Sequence, residues 1–184
     1  MDHFNYRDGQ LYAEDVSVAE IAASVGTPFY VYSTATLVRH FQLFDDALDG
    51  MDHCICYAMK AASNQAILKT LGNLGAGMDV VSGGEYRRAI SAGIPPEKVV
   101  FSGVGKTLEE ITLALQNGIR QFNVESDSEL EQISAIASSM NKIAPIAIRI
   151  NPDVDAQTHE KIATGKAENK FGIPLSRARE VYSK

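Results

Sequence analysis

The 184-residue chain has only two cysteines, Cys54 and Cys56. One residue apart on a strand, their thiols point to one face and cannot easily bridge. They read as small buried hydrophobes, and no further ligands with suitable spacing stand near them to hold a metal. The opening stretch, MDHFNYRDGQ, lacks the apolar region of a signal peptide. No apolar run approaches the roughly 18 residues that a membrane span needs. These absences make the cytoplasm the expected compartment and a membrane partner unexpected. Positive charge is in short supply too. The net charge is −6, which argues against nucleic acid as a partner. Small anionic substrates stay open, because local charge decides those. What remains is ordinary for a soluble folded chain: 45% hydrophobic and 22% charged residues, enough for one domain or part of a larger one.

From about residue 28 the chain alternates short apolar runs with amphipathic stretches. Strands are expected at Phe29–Tyr32, Cys54–Ala58, Gly77–Val81, Lys98–Phe101, Arg120–Val124 and Pro145–Ile150. Helices are expected over Ala35–Leu48 with Thr34 as N-cap, then over Asn64–Leu74, Gly84–Ala92, Leu108–Gln116 and Ser128–Met140. A last helix is expected over Leu175–Lys184. Gly75, Gly93 and Gly118 stand where helices should stop. Strands recurring every ~20–25 residues fit βα units with crossover helices and a parallel sheet. A doubly wound open sheet and a (β/α)8 barrel both fit that rhythm. No G-x-G-x-x-G follows the first strand, which tips the pattern toward the barrel. Such a barrel takes about 250 residues, so it would be cut short here. After Ile150 the rhythm breaks into a polar stretch, Asn151–Lys170. It reads as either a functional lid or a surface loop.

Few residues offer chemistry by position. Lys60 ends a strand among small and apolar neighbours. Desolvation there would free its amine as a nucleophile or Schiff-base former; a surface lysine at a strand end is the plainer reading. Asp79 is an acid inside an apolar strand, costly unless paired. Ser82 and Glu85 beyond it also fit a capping box. The stretch Gly103-Val104-Gly105-Lys106-Thr107 invites a phosphate-loop reading, which fails because Val100 stands where that motif requires glycine. Arg149 ends the last strand, where it could reach a phosphate or carboxylate. His159 lies in the long polar stretch, where a lone histidine is usually just solvated.

Taken in order, these stretches resemble a known family. Tyr57-Ala58-Met59-Lys60-Ala61, Gly77-Met78-Asp79-Val80-Val81-Ser82-Gly83-Gly84-Glu85 and Phe101-Ser102-Gly103-Val104-Gly105-Lys106 look like successive motifs of the fold-type-III, pyridoxal phosphate (PLP) dependent decarboxylases. The run Arg149-Ile150-Asn151-Pro152-Asp153-Val154-Asp155-Ala156, with Thr158-His159, Thr164-Gly165 and Lys170-Phe171-Gly172-Ile173, is similar to the diaminopimelate branch rather than the ornithine or arginine branch. Ala62 departs from the family, which commonly has Asn there. The resemblance implies a truncated (β/α)8 barrel of the alanine-racemase-like type over residues 34–184. Residues 1–33 would belong to a second, β domain. It implies PLP as cofactor, with Lys60 as the lysine that holds it, Asp79 and Arg149 beside it, and His159 in a substrate lid. The implied reaction is decarboxylation of meso-diaminopimelate to L-lysine, with a homodimeric full-length parent. A ring-stacking histidine, a glycine-rich phosphate cradle, a glutamate facing the pyridine nitrogen and a cysteine from a partner subunit would lie beyond residue 184. The isolated chain is therefore expected to retain PLP weakly. A non-catalytic PLP-binding homologue, or a decarboxylase of another basic amino acid such as ornithine, arginine or carboxynorspermidine, stays open.

Overall fold

A computed structural model describes residues 3–152, 154 and 172–183. The first elements are small. Strands β1 (Phe4–Arg7), β2 (Gln10–Ala13) and β3 (Val16–Ser17) form an antiparallel sheet in chain order. Asp8 and Gly9, both at positive φ, make the two-residue turn between β1 and β2. Ser17 then caps helix α1 (Val18–Val25) by accepting from Glu20 N at 3.1 Å. None of these elements was expected from the sequence pattern. Phe29–Tyr32, expected as a strand, joins no ladder; Tyr30 is 91% exposed. Its β-forming residues favour an extended backbone, but a strand also needs a neighbour. Helix α2 (Thr34–Ala47) follows, capped by Ser33, one residue earlier than expected.

The main sheet has five parallel strands: β4 (Cys56–Ala58), β5 (Gly77–Val80), β6 (Val99–Phe101), β7 (Gln121–Val124) and β8 (Ile146–Ile148). Helices α3 (Gln65–Asn73), α4 (Gly83–Ser91), α5 (Leu108–Gln116) and α6 (Asp127–Ser139) make the crossovers. Asn64, Ser82, Thr107 and Ser126 each cap the helix that follows by accepting a first-turn N–H. The strand order is sequential, β4-β5-β6-β7-β8. A doubly wound sheet reverses its order at a switch point; this one does not, which is the arrangement of a partial barrel. Two short strands, β9 (Ile150–Asn151) and β10 (Ile173–Pro174), pair in parallel just beyond β8. The expected last strand is thus split at Arg149. The expected C-terminal helix is a 3-10 turn, Leu175–Arg177, followed by α7 (Ala178–Tyr182).

Strand alternation gives the main sheet two unlike faces. One packs under the helices: Met78, Val80, Val99, Phe101, Phe122 and Val124 are each at most 1% exposed. Leu68, Ile111 and Ile133 close on them from α3, α5 and α6, and the rings of Phe101 and Phe122 stack at 6.2 Å. The other face carries Ala58, Asp79, Val100 and Gln121 in one hydrogen-bonded row. Asn123 and Ala147 pair beside it. All six residues are half-buried.

Candidate active site

The C-terminal ends of the parallel strands converge on a cavity of about 410 Å³, the end where barrel enzymes place their sites. Lys60 comes to it from the turn after β4 and Asp79 from β5. Ser102 follows β6, Asn123 lies on β7, Glu125 follows β7, and Arg149 follows β8. Three of the residues expected from the sequence, Lys60, Asp79 and Arg149, therefore line one cavity. His159 lies outside the described residues. Lys60 is exposed, in line with the plainer reading of its position and not with desolvation, and no hydrogen bond or ion pair ties its amine to another described residue.

Asp79 is not alone, as an acid in an apolar strand cannot be. The Ser102 hydroxyl donates to Asp79 Oδ1 at 2.5 Å. Ser102 Oγ accepts from Asn123 Nδ2 at 2.8 Å, and Asn123 Oδ1 accepts from Gln121 Nε2 at 2.7 Å. Because the serine oxygen already accepts from an amide, its proton is directed at the carboxylate. The chain of donors runs one way, from Gln121 to Asp79, and holds Asp79 as an acceptor. Arg149 is held separately: its Nη1 donates to both oxygens of Glu125 at 3.0 Å. The Glu125 side chain is only 2% exposed, and it also accepts from Gly103 N at 3.2 Å.

The turns that carry these groups are pinned separately. Arg88 donates twice to Ser63 O, and Gln65 Nε2 donates to Arg88 O, fixing the segment after Lys60 against α4. Ser82 accepts from Glu85 N, as a capping box requires, but Glu85 returns its carboxylate to Val81 N rather than to the cap. The complete box lies one unit on, between Thr107 and Glu110. Sequence reading missed Ser102, Asn123 and Glu125. A signal existed for one of them: Gln121-Phe122-Asn123-Val124 alternates polar and apolar residues, the mark of a strand with one polar face. Nothing local marks Ser102 or Glu125, whose side-chain partners lie 21–24 residues away.

An amine, a carboxylate and a guanidinium around one cavity suit an anionic aldehyde cofactor. The amine can bond to the aldehyde carbon, and the cation can meet a phosphate or carboxylate. Residues 34–184 match the family described as the pyridoxal binding domain of pyridoxal-dependent decarboxylases. The chain belongs to that family. Pyridoxal phosphate is the cofactor of such a domain, and the residues present fit it. Among curated relatives, diaminopimelate decarboxylase of Vibrio cholerae is 55% identical over 183 residues, 99% of this chain but 44% of the relative. The solved structure of diaminopimelate decarboxylase from Helicobacter pylori complexed with L-lysine matches with a TM-score of 0.86 at 46% identity, covering 90% of this chain and 42% of that one. The arginine decarboxylase of Paramecium bursaria Chlorella virus matches with a TM-score of 0.71 at 22% identity, over 89% of this chain and 42% of that one, a likeness of fold alone. The chain thus spans less than half the length of the decarboxylases it matches and corresponds to their N-terminal part.

Proposed function

We propose that the chain is the N-terminal part of an enzyme that releases CO2 from meso-diaminopimelate and yields L-lysine. The observation that carries this reading is the convergence of Lys60, Asp79 and Arg149 on one cavity at the C-terminal ends of the strands. The substrate class is supported by the relatives: those near half identity are named diaminopimelate decarboxylases, and one was solved with L-lysine, the product of the proposed reaction. When bound, pyridoxal phosphate supplies an electron sink for the pair left behind by departing CO2. Lys60 is the covalent anchor for that cofactor and the only residue assigned a catalytic role. Asp79, oriented by Ser102, presents a fixed negative charge to it. Arg149, braced by Glu125, presents a fixed positive charge to an anionic group of cofactor or substrate. Further parts of the proposal are a substrate-side role for His159, residues 1–33 as part of a second β domain, a homodimeric full-length parent and a cytoplasmic location.

The test uses the full-length protein. Borohydride reduction is expected to trap the cofactor on Lys60, and CO2 is expected from meso-diaminopimelate. Trapping at another lysine would sink the Lys60 assignment. Trapping without CO2 from any amino acid would mean a cofactor-binding homologue without turnover. Release from ornithine or arginine instead would move the substrate to another basic amino acid.

A further inference from the structure

Lys106 is one of three buried charged residues in the described structure, with Glu125 and Glu129. Its side chain is 1% exposed, and burying an ammonium is costly unless every proton finds an acceptor. All three do: Gly103 O at 2.7 Å, Asn123 O at 2.9 Å and Glu129 Oε1 at 2.6 Å. The lysine of the failed phosphate-loop motif therefore turns inward and does not face a phosphate. Gly103 makes that turn at φ +102°, a conformation that favours glycine.

We propose that Lys106 is a positioning residue for Arg149, acting through Glu129 and Glu125. This inference rests on the reading of the cavity as the cofactor and substrate site. Glu129 spends its first oxygen on Lys106 and its second on the N–H of Glu125 at 2.7 Å. Gly103 gives its carbonyl to Lys106 and its N–H to the Glu125 carboxylate. Lys106 thus grips Glu125 at both its backbone and its side chain, each through one intermediary. Glu125 then receives Arg149 on both oxygens. Two cations and two carboxylates balance, and the set, buried except for Arg149, ties the ends of β6, β7 and β8 together. A merely structural ion pair could end anywhere; this one ends on a cavity wall.

The experiment is a mutant cycle in the full-length holoenzyme, with R149M, K106M and the double variant. Its readouts are the Kd for pyridoxal phosphate, measured by absorbance titration of the apoprotein, and the split between substrate KM and kcat. K106M is expected to weaken, by roughly threefold or more, whichever of these R149M weakens. In the R149M background it should add less than about twofold. Equal fold losses in both backgrounds overturn the relay, as does a lowered Tm with none of those parameters moved. If K106M does not fold, K106M/E129Q removes both buried charges together and enters the same cycle. E125Q cuts the last link while leaving Lys106 and Glu129 paired, and it must reproduce the loss; no effect there also overturns the relay. If R149M changes neither Kd nor KM and kcat, the site reading falls and the relay with it. If R149M is effective and Lys106 acts independently of it, only the relay falls.

Discussion

The two faces of the main sheet are made by the same strands and do opposite work. Beneath the helices, neighbouring residues such as Phe101 and Phe122 are fully buried and wholly apolar. On the other face, Asp79, Ser102, Gln121 and Asn123 share one line of hydrogen bonds and stay partly open. The first face supplies stability by removing apolar area from water. The second supplies little of that and instead fixes polar groups in place. That second, inner face also changes along its length. At the C-terminal ends of the strands it opens into the cavity. At the N-terminal ends it is crowded around Gly77, where Cys54, Cys56 and the Lys98 carbonyl leave no room for a Cβ.

The sharpest test of this division compares two adjacent residues of β7 in the full-length protein. Phe122→Ala should cost about 3–5 kcal/mol of stability, the usual loss for a buried aromatic. Asn123→Ala should cost about 0.5–1.5 kcal/mol, the net worth of a hydrogen bond, while weakening cofactor retention. Denaturant midpoints give both numbers. Similar costs for the two would break the comparison. Gly77→Ala probes the crowded end of the inner face. A Cβ there would stand 2.3 Å from Lys98 O and 2.9 Å from Cys56 Sγ, and one of those atoms is backbone. A loss of about 1–3 kcal/mol is expected from overpacking. A neutral result would mean that the end of the sheet is looser than its geometry.

The helix-packed face was legible in the sequence because it is local. Runs such as Lys98-Val99-Val100-Phe101, punctuated by Gly75, Gly93 and Gly118, announce a β/α repeat without any tertiary information. The N-terminal hairpin was not legible by apolar periodicity, since β1 is mostly exposed; its one signal is the Asp8-Gly9 turn. Phe29–Tyr32 misled for the converse reason. Its residues favour extended backbone, but no neighbouring strand pairs with it among the described residues. The site was read chiefly through family resemblance. Lys60 by position alone is indistinguishable from a surface lysine, and the structure leaves it exposed. The groups that orient Asp79 and Arg149 come from other strands, so no local pattern contains them. Lys106 shows the limit best: the sequence excludes a phosphate loop, but only the fold reveals that the partners of Lys106 are internal.

The cysteines give a chemical measure of the crowded end. Their sulfurs lie 3.8 Å apart, and both residues are half-buried. Burial, then the neighbouring Cys54, pushes the Cys56 thiol up to about 12. A shift of that size lowers the thiolate fraction at pH 8 roughly a thousandfold, and the greater nucleophilicity of a more basic thiolate recovers roughly twentyfold. Iodoacetamide should therefore alkylate Cys56 in the native protein roughly fiftyfold more slowly than in the denatured one. The linkage runs the same way: stability held below the ordinary thiol range is lost as pH rises through the folded value. Equal native and denatured rates, followed by mass spectrometry of the Cys56 peptide, would show that this end of the sheet is open.

The smallest expected effect concerns the rim of the open end. Glu110 bridges two turns there, accepting from Gly83 N at 2.6 Å and from Thr107 N at 2.9 Å. Partial burial pushes its carboxyl up, but the N–H groups of Thr107 and Gly83 outweigh this and hold it below the usual carboxylate range. The sign follows from linkage. The stabilisation is complete above the unfolded value of about 4.3 and is lost as pH falls through the lower folded value. Glu110→Gln keeps one acceptor and turns an amide N–H₂ toward the other donor. It should lower stability by about 1 kcal/mol at neutral pH, and the gap should close as the wild-type carboxylate is protonated. Denaturant midpoints from pH 7 down to acid measure that gap. A gap independent of pH would mean that Glu110 acts at the rim through shape and not through charge.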